Sequence, residues 1–325
     1  MSLTNFPNGI SSFGIPVLGG GGIPASPGKF LFVDYGNGDD GRSVKSNSAE
    51  RPFKTVEKAY SLATTNKDDV IVLVGNTTHT LTEMLTVSKN RVHFVGMDGT
   101  LRKYGQNAKI ALGVTTAATN LGTVLNTGVR NSYSNIKFVN SDTLGTDLYT
   151  FLDGGEYMSM SFCEIYKESL LSTTGAAEMV MNGDSAQIVN CTIGSLANFQ
   201  TGTTIRPGVL VTKATAGAGL VARDVSFIGC NFWKNAGHVN GRHVYGANAT
   251  DVERLMMFED CTFVNSVLAA AVPAQCVAFG ASQTVGQVLI KNCTSINNTK
   301  LSTTTGVLIA GPVPTYATAG IAVAS

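Results

Sequence analysis

The sequence predicts an all-β chain wound as a parallel β-helix, a solenoid of short strands separated by sharp bends. Three observations predict it: a nine-residue pattern that recurs along the chain, a bend-forming residue at a constant place within it, and irregular spacing between copies of one constant core unit. The pattern is clearest as Phe258-Glu-Asp-Cys-Thr-Phe-Val-Asn-Ser266. It returns as Ile188-Val-Asn-Cys-Thr-Ile-Gly-Ser195, Phe227-Ile-Gly-Cys-Asn-Phe-Trp-Lys-Asn235 and Ile290-Lys-Asn-Cys-Thr-Ser-Ile-Asn297, with weaker copies at Tyr133–Asn140 and Met160–Lys167.

Each place in the pattern has a physical reason. Apolar residues two apart fall on one face of a strand. Asn135, Asn190, Gly229, Asp260 and Asn292 stand two places after the first apolar residue and break that alternation, because these types accept the left-handed conformation that turns a chain within one or two residues. Phe162 is the exception at this place. Ile136, Cys163, Cys191, Cys230, Cys261 and Cys293 follow the bend as one column, and a further apolar residue lies two beyond. Two earlier copies, Ile71–Gly75 and Val92–Gly96, carry no bend residue and place Ile71 and Val92 in that column. The long interval before Ile136 holds either an unrecognised rung or an excursion over residues 101–131. A constant unit with loops of varying length suits a solenoid, and helical periodicity is missing from the units, which leaves the β-helix.

Before the repeats, Arg51-Pro-Phe-Lys-Thr-Val-Glu-Lys-Ala-Tyr60 places Phe53, Val56, Tyr60 and Ala63 at helical spacing with Pro52 at the start, a short helix over about 53–64 that plugs the first coil. With Asp69–Gly75 and Asn90–Gly96, this stretch resembles the opening of the pectin-lyase-like right-handed parallel β-helix. The resemblance implies a capping helix and an asparagine ladder along one bend, matched here by Asn135, Asn190 and Asn292 with Asp260 and Gly229 as variants. It implies a fold and no activity, since that fold hosts lyases, hydrolases and inert structural proteins.

The resulting division is an arm over 1–29, a β-helix over 30–300, and a closing or inter-subunit segment over 301–325, small and apolar with no charge after Lys300. Twenty-three basic residues against 22 acidic ones, with 14% charged overall, give no argument for nucleic acid or an anionic membrane, and no apolar run is long enough to span a bilayer. The start of the chain lacks the basic and apolar regions of a secretory signal. The cysteines lack metal-ligand spacing. Side chains in a ladder run parallel, which is poor disulfide geometry, so the column reads as stacked small hydrophobes rather than a disulfide chain or a metal file. Cys276 stands outside it.

Acid pairs are the candidate catalytic groups, since glycoside hydrolysis needs two carboxyls facing one sugar. Asp153 with Glu156, Glu164 with Glu168, and Glu259 with Asp260 are the candidates, and none recurs on neighbouring rungs. Glu164 lies between inward residues and is expected to face solvent. Gly36-Asn-Gly-Asp-Asp-Gly41 lacks the spacing of a helix-loop-helix calcium site and reads as a turn, while His238-Val-Asn-Gly-Arg-His243 reads as a surface loop. The expectation is therefore no catalytic residue, no metal, no cofactor and no enzyme.

The arm is of another kind. Phe6, Ile10, Phe13, Ile15 and Leu18 lie among Pro and Gly, too apolar for a plain linker and unable to bury one another. The segment is either a disordered leader or an arm that folds against a partner. Asn-Phe-Pro-Asn-Gly followed by Ser-Phe-Gly-Ile-Pro resembles the N-termini of capsid decoration (cement) proteins of tailed bacteriophages. That resemblance implies a homotrimer on the exterior of the virion capsid, assembled in the host cytoplasm, with Asn5, Phe6, Phe13, Ile15 and Leu18 on the major capsid protein. The alternative is a tailspike-like polysaccharide depolymerase.

Overall fold

The computed structural model describes residues 10–12, 15–17, 26–75, 77–97, 101–113, 122–141, 148–168, 176–197, 199–200, 205–212, 221–267, 272–280 and 282–311. Three parallel sheets of ten, eight and seven strands form the walls of a right-handed parallel β-helix. One coil shows the plan: Ser132–Ser134 lies in the first sheet, Lys137–Asn140 in the second, Tyr149–Asp153 in the third, and Ser159–Ser161 returns beside Ser132–Ser134. A separate two-stranded antiparallel sheet pairs Ile10–Ser12 with Ile15–Val17.

The first apolar place of the repeat becomes a single inward column. Leu31, Ile71, Phe94, Tyr133, Met160, Ile188, Phe227, Phe258 and Ile290 occupy successive registers of the first sheet. All are fully buried, and their rings stack where aromatics meet: Phe94 on Tyr133 at 5.2 Å and Phe227 on Phe258 at 5.1 Å between centroids. Across the bend, Phe232 stacks on Phe263 at 4.7 Å in the second sheet.

The bend row is left-handed throughout. Asn135, Asn190, Asp260 and Asn292 have φ of 57°, 53°, 53° and 52°, and Gly229 has 63°. Each of these residues donates its backbone N–H to the next coil: Asn135 to Ser161 O, Asn190 to Ile228 O, Gly229 to Glu259 O, Asp260 to Lys291 O and Asn292 to Ala310 O, at 2.8–3.1 Å. Two residues on, the N–H points back to the previous coil's column, as Thr192 to Cys163 O and Thr262 to Cys230 O. Phe162 takes the same conformation, φ 53°, although a bulky residue is disfavoured there. Its N–H bonds Val189 O at 3.1 Å, so the coil's geometry overrides its preference.

The two earliest copies need a correction of register. Ile71 and Phe94 stand in the apolar column, so Ile71 and Val92 do not belong to the cysteine column. Gly96 stands in register beside Asn135 but inside the strand Val92–Met97 and without a left-handed turn: Asn135 Nδ2 donates to Gly96 O at 3.1 Å, and a Cβ on Gly96 would lie 2.0 Å from Asn135 O. The two copies are also offset by two from one another, Ile71 pairing with Phe94 rather than Val92, and because side chains alternate every two residues such a slip is invisible in sequence. The long interval holds no extra rung, because Val92–Met97, Lys109–Leu112 and Gly122–Asn126 make one coil whose first connection is long.

All six cysteines are free and buried. In the column, each thiol from Cys163 onward except Cys191 lies 3.4–3.6 Å from the carbonyl of the apolar residue one coil earlier, as Cys261 from Phe227 O. The helix spans Val56–Leu62, with Thr55 Oγ1 accepting from Lys58 N and Asp40 accepting from the backbone N–H groups of Lys54 and Thr55. Its buried face, Val56 and Ala59, joins Phe53 and Ala63 over the first coil. At the other end, Val307–Ala310 adds a last strand beside Gly286–Lys291.

Two outcomes are expected. A thiol reagent should modify none of the six cysteines faster than the chain unfolds, as followed by labelling rates against denaturant. Phe162→Asn, giving that bend the residue its neighbours use, should stabilise the fold by about 1 kcal/mol, read as a raised unfolding midpoint.

Candidate functional site

Of the acid pairs singled out in the sequence, Asp153 with Glu156 and Glu259 with Asp260 do not assemble as pairs. Asp153 is fully buried and faces the interior, accepting from Asn126 Nδ2 at 2.7 Å and Gly155 N at 3.2 Å, while its Oδ2 has no partner. Glu156 instead takes part in a backbone bridge between Val129 and Asp184. Asp260 serves the bend, and Glu259 pairs with Lys291 at 2.5 Å. In the Gly36–Gly41 turn, Asp40 caps the helix, and Asp34 just before it binds the N–H groups of Gly36 and Asn37. Among the described residues, no group of three or more His, Cys, Asp or Glu is arranged to hold a metal. His243 is buried rather than on a surface loop, with Nε2 3.1 Å from Asn298 Oδ1, and burial pushes its pKa down to about 3. Asn5, Phe6, Phe13 and Leu18 lie outside the described residues, and Ile15 opens the strand Ile15–Val17, described by its backbone alone.

Glu164 and Glu168 do come together, on the outer face of the second sheet. Alternation points Ile165 and Lys167 inward and Tyr166 outward. The same offset from the next two cysteines gives Gly194 and Trp233, which are register partners. These residues floor a cleft of about 420 Å³, walled by Glu164, Glu168 and the turn Ser195–Ala197. The long connection between Val92–Met97 and Lys109–Leu112 touches two of its residues. Gly105 N donates to Glu164 Oε2 at 2.8 Å, Lys103 Nζ to Gly229 O at 2.7 Å, and the Tyr104 ring lies 5.2 Å from the Trp233 ring at 50°. Gln106 Nε2 donates to Arg102 O and Phe162 O, both at 2.6 Å, which fastens the connection at its base. Glu164 is therefore 8% exposed, which corrects the expectation of a solvated acid: it points outward but is covered.

Charge in the cleft is paired. Lys137 Nζ lies 3.4 Å from Glu164 Oε1 and 4.8 Å from the centre of the Tyr166 ring; Lys109 Nζ lies 3.2 Å from Glu168 Oε1; Ser141 Oγ donates to Glu168 Oε2 at 2.7 Å. Burial raises the Glu168 pKa, but the Ser141 and Lys109 bonds outweigh it and hold the carboxyl below its usual range. Burial, with Glu168 beside it, pushes the Tyr166 phenol up to about 12. Glu168 is thus an ionised acceptor rather than a proton donor.

Two further constellations escaped the sequence reading. On the outer face of the first sheet, His93 lies between Ser132 (Nδ1 to Oγ, 2.8 Å) and Asp68 (Nε2 to Oδ1, 3.4 Å). That order of groups resembles a nucleophile relay, but Arg91 binds the same carboxylate, and backbone amides engaged in a parallel ladder leave no donors free for an oxyanion. Inside the coils, Glu178, Lys167 and Lys234 are buried together. Burial raises the Glu178 carboxyl and lowers the Lys234 amine, and their mutual attraction opposes both shifts. Strand alternation after Cys163 and Cys230 already placed both lysines inward, a signal available in the sequence.

No protein family's profile matches the chain, and no curated protein matches it in sequence. Its fold is that of solved pectin-lyase-like β-helices. A pectin methylesterase from Aspergillus niger aligns at a TM-score of 0.53 and 12% identity over 89% of this chain and 92% of its own. The pectate lyase Pel9A aligns at 0.56 and 12%, over 81% and 62%, and a rhamnogalacturonan lyase aligns similarly. ORF18 of Geobacillus virus E2 aligns at 0.48 and 12%, over 75% and 50%, too loose a likeness to argue from. The expectation that the chain is not an enzyme is overturned here, because the structures it resembles above 0.5 are enzymes by name. At such identity the likeness carries the fold and transfers no catalytic residue.

The buried Asp153 makes stability depend on pH. Desolvation raises its pKa from 3.8 to about 7, against the opposing bonds from Asn126 and Gly155. The folded chain therefore holds a proton that the unfolded chain releases, and this contribution is complete below pH 3.8 and lost as pH rises through about 7. Asp153→Asn keeps the acceptor and cannot ionise. Relative to the parent chain it should gain about 2–4 kcal/mol between pH 4 and pH 8, checked by equilibrium denaturation at the two pH values.

Proposed function

We propose that this chain is a structural protein of a tailed-bacteriophage virion: a homotrimer on the outside of the capsid, held on the major capsid protein by its first ~25 residues and assembled in the host cytoplasm. The observation that carries the proposal is the separateness of the arm. Among the described residues its hairpin, Ile10–Ser12 with Ile15–Val17, forms a sheet of its own, whereas the other strands join the three sheets of the body. The body is a stack of coils whose first coil is capped by the helix Val56–Leu62.

Attachment follows from area and multiplicity. Phe6, Phe13, Ile15 and Leu18 supply apolar surface, at roughly 25 cal/mol per Å² before the cost of ordering, and Asn5 supplies polar contacts. Three arms of one trimer act together, so modest contacts add through effective concentration. The far end supports subunit packing: Leu308 and Ile309 on the last strand, with Leu255 and Val285 nearby in the first sheet's last coils, are 38–58% exposed. A tailspike-like polysaccharide depolymerase is the second reading, favoured by the two carboxylates that line the cleft.

Deleting residues 2–25 should leave a folded trimer that no longer binds purified shells, measured by co-sedimentation. Unchanged saturation of shells by the truncated protein would remove the arm as anchor. Release of reducing ends from host glycan, abolished by Glu164→Gln or Glu168→Gln, would favour the second reading.

A further inference from the structure

We propose that the cleft on the outer face of the second sheet binds a neutral saccharide chain, with Trp233 and Tyr104 as its stacking surface and Glu168 as its principal hydroxyl acceptor. The inference goes beyond attachment to a shell and stands on the body alone.

The floor has the right relief. Tyr166, Gly194 and Trp233 follow one another outward on successive coils, so two aromatic side chains are separated by one rung that carries no side chain. Strands stack about 4.8 Å apart, which sets the two rings' attachment points roughly 10 Å from each other. Gly194 is required there. It sits at φ 99°, and a Cβ would lie 2.0 Å from Trp233 O, so no other residue fits and the slot stays open.

The aromatic surface is presented, not packed away. The Tyr104 ring meets the half-buried indole at 50°, yet Tyr104 remains 55% exposed. Its position is held from both sides, by Lys103 on Gly229 O and by Gly105 on Glu164. An exposed aromatic corner on a braced connection suits a ligand with a flat apolar C–H face, and a pyranose ring has such a face with hydroxyls around its edge.

The polar groups select for neutrality. The two carboxylates of the cleft are already paired with Lys109 and Lys137, at 3.2 Å and 3.4 Å. A polyanion would meet Glu164 and Glu168, and a polycation would meet Lys109 and Lys137, each at the cost of an existing pair. Hydroxyl groups can donate to Glu168, 42% exposed at its side chain, and use Ser195, which also lines the cleft, without breaking either pair. The floor is the face of a sheet and not its edge, so an extended peptide finds no backbone ladder to join.

Trp233 is the only tryptophan in the chain, so its fluorescence reports on this cleft alone. Full-length protein is titrated with cellohexaose, maltohexaose and hexa-N-acetylchitohexaose, with polygalacturonate as the anionic control. At least one neutral oligomer should shift the emission saturably, and polygalacturonate should not. Tyr104→Ala should weaken that binding about tenfold and Glu168→Gln at least threefold, with the unfolding midpoint of Tyr104→Ala unchanged because the ring is largely exposed. The proposal is overturned if no neutral oligomer moves the emission up to about 20 mM, if polygalacturonate binds as well, or if Tyr104→Ala binds like the parent.

Discussion

Everything in this molecule depends on a reversal made within one or two residues at the junction of the first and second sheets. The chain there is left-handed in every coil from Asn135 to Asn292, and its N–H groups reach forward to the next coil and back to the previous one. A residue on either side of the bend is thereby locked to its counterparts above and below. Register propagates from that row: the apolar column, the cysteine column and the outward row of Tyr166, Gly194 and Trp233 are all consequences of it. Phe162 shows the strength of the constraint, since an unsuitable residue adopts the bend rather than break the stack.

Stacking also decides what the interior must tolerate. A coil wide enough for three strands leaves corners that apolar side chains do not fill, and these hold Asn126 with Asp153, and Glu178 with Lys167 and Lys234. Burial moves Asp153 and Glu178 toward the neutral form, because desolvation disfavours charge more than the available bonds restore it. Acids that look available in sequence are therefore consumed by the fold. Those that remain outside are mostly tied to a basic neighbour, as Asp68 to Arg91, Asp184 to Arg223 and Glu259 to Lys291.

The cleft arises from a departure from regularity. A smooth solenoid presents flat sheet faces, and flat faces hold small ligands poorly. One long connection, residues 101–106, leaves the second coil and is fastened to Phe162, Glu164 and Gly229 on later coils. It covers Glu164 and sets the Tyr104 ring against Trp233 beside the cleft. Such a connection is free to vary because the coils beneath it are already held by their own ladders.

The sequence by itself determined the fold, the bend row and the cysteine column, because these rest on contacts that repeat with the coil and so leave a periodic mark. Alternation also told which of Ile165, Tyr166 and Lys167 face outward, although the outward ring beside Glu164 and Glu168 was not recognised as part of a site. Only the tertiary structure decided that Ile71 pairs with Phe94 rather than Val92, since a slip of two residues leaves alternation unchanged. It alone decided that Asp153 and His243 are internal, and that Tyr104 lies against a tryptophan more than a hundred positions away. The physical reason is the same in each case. Periodic contacts are written once per coil, whereas a single loop crossing several coils, or a polar group turned into a corner, makes a contact that occurs only once and leaves no pattern to read.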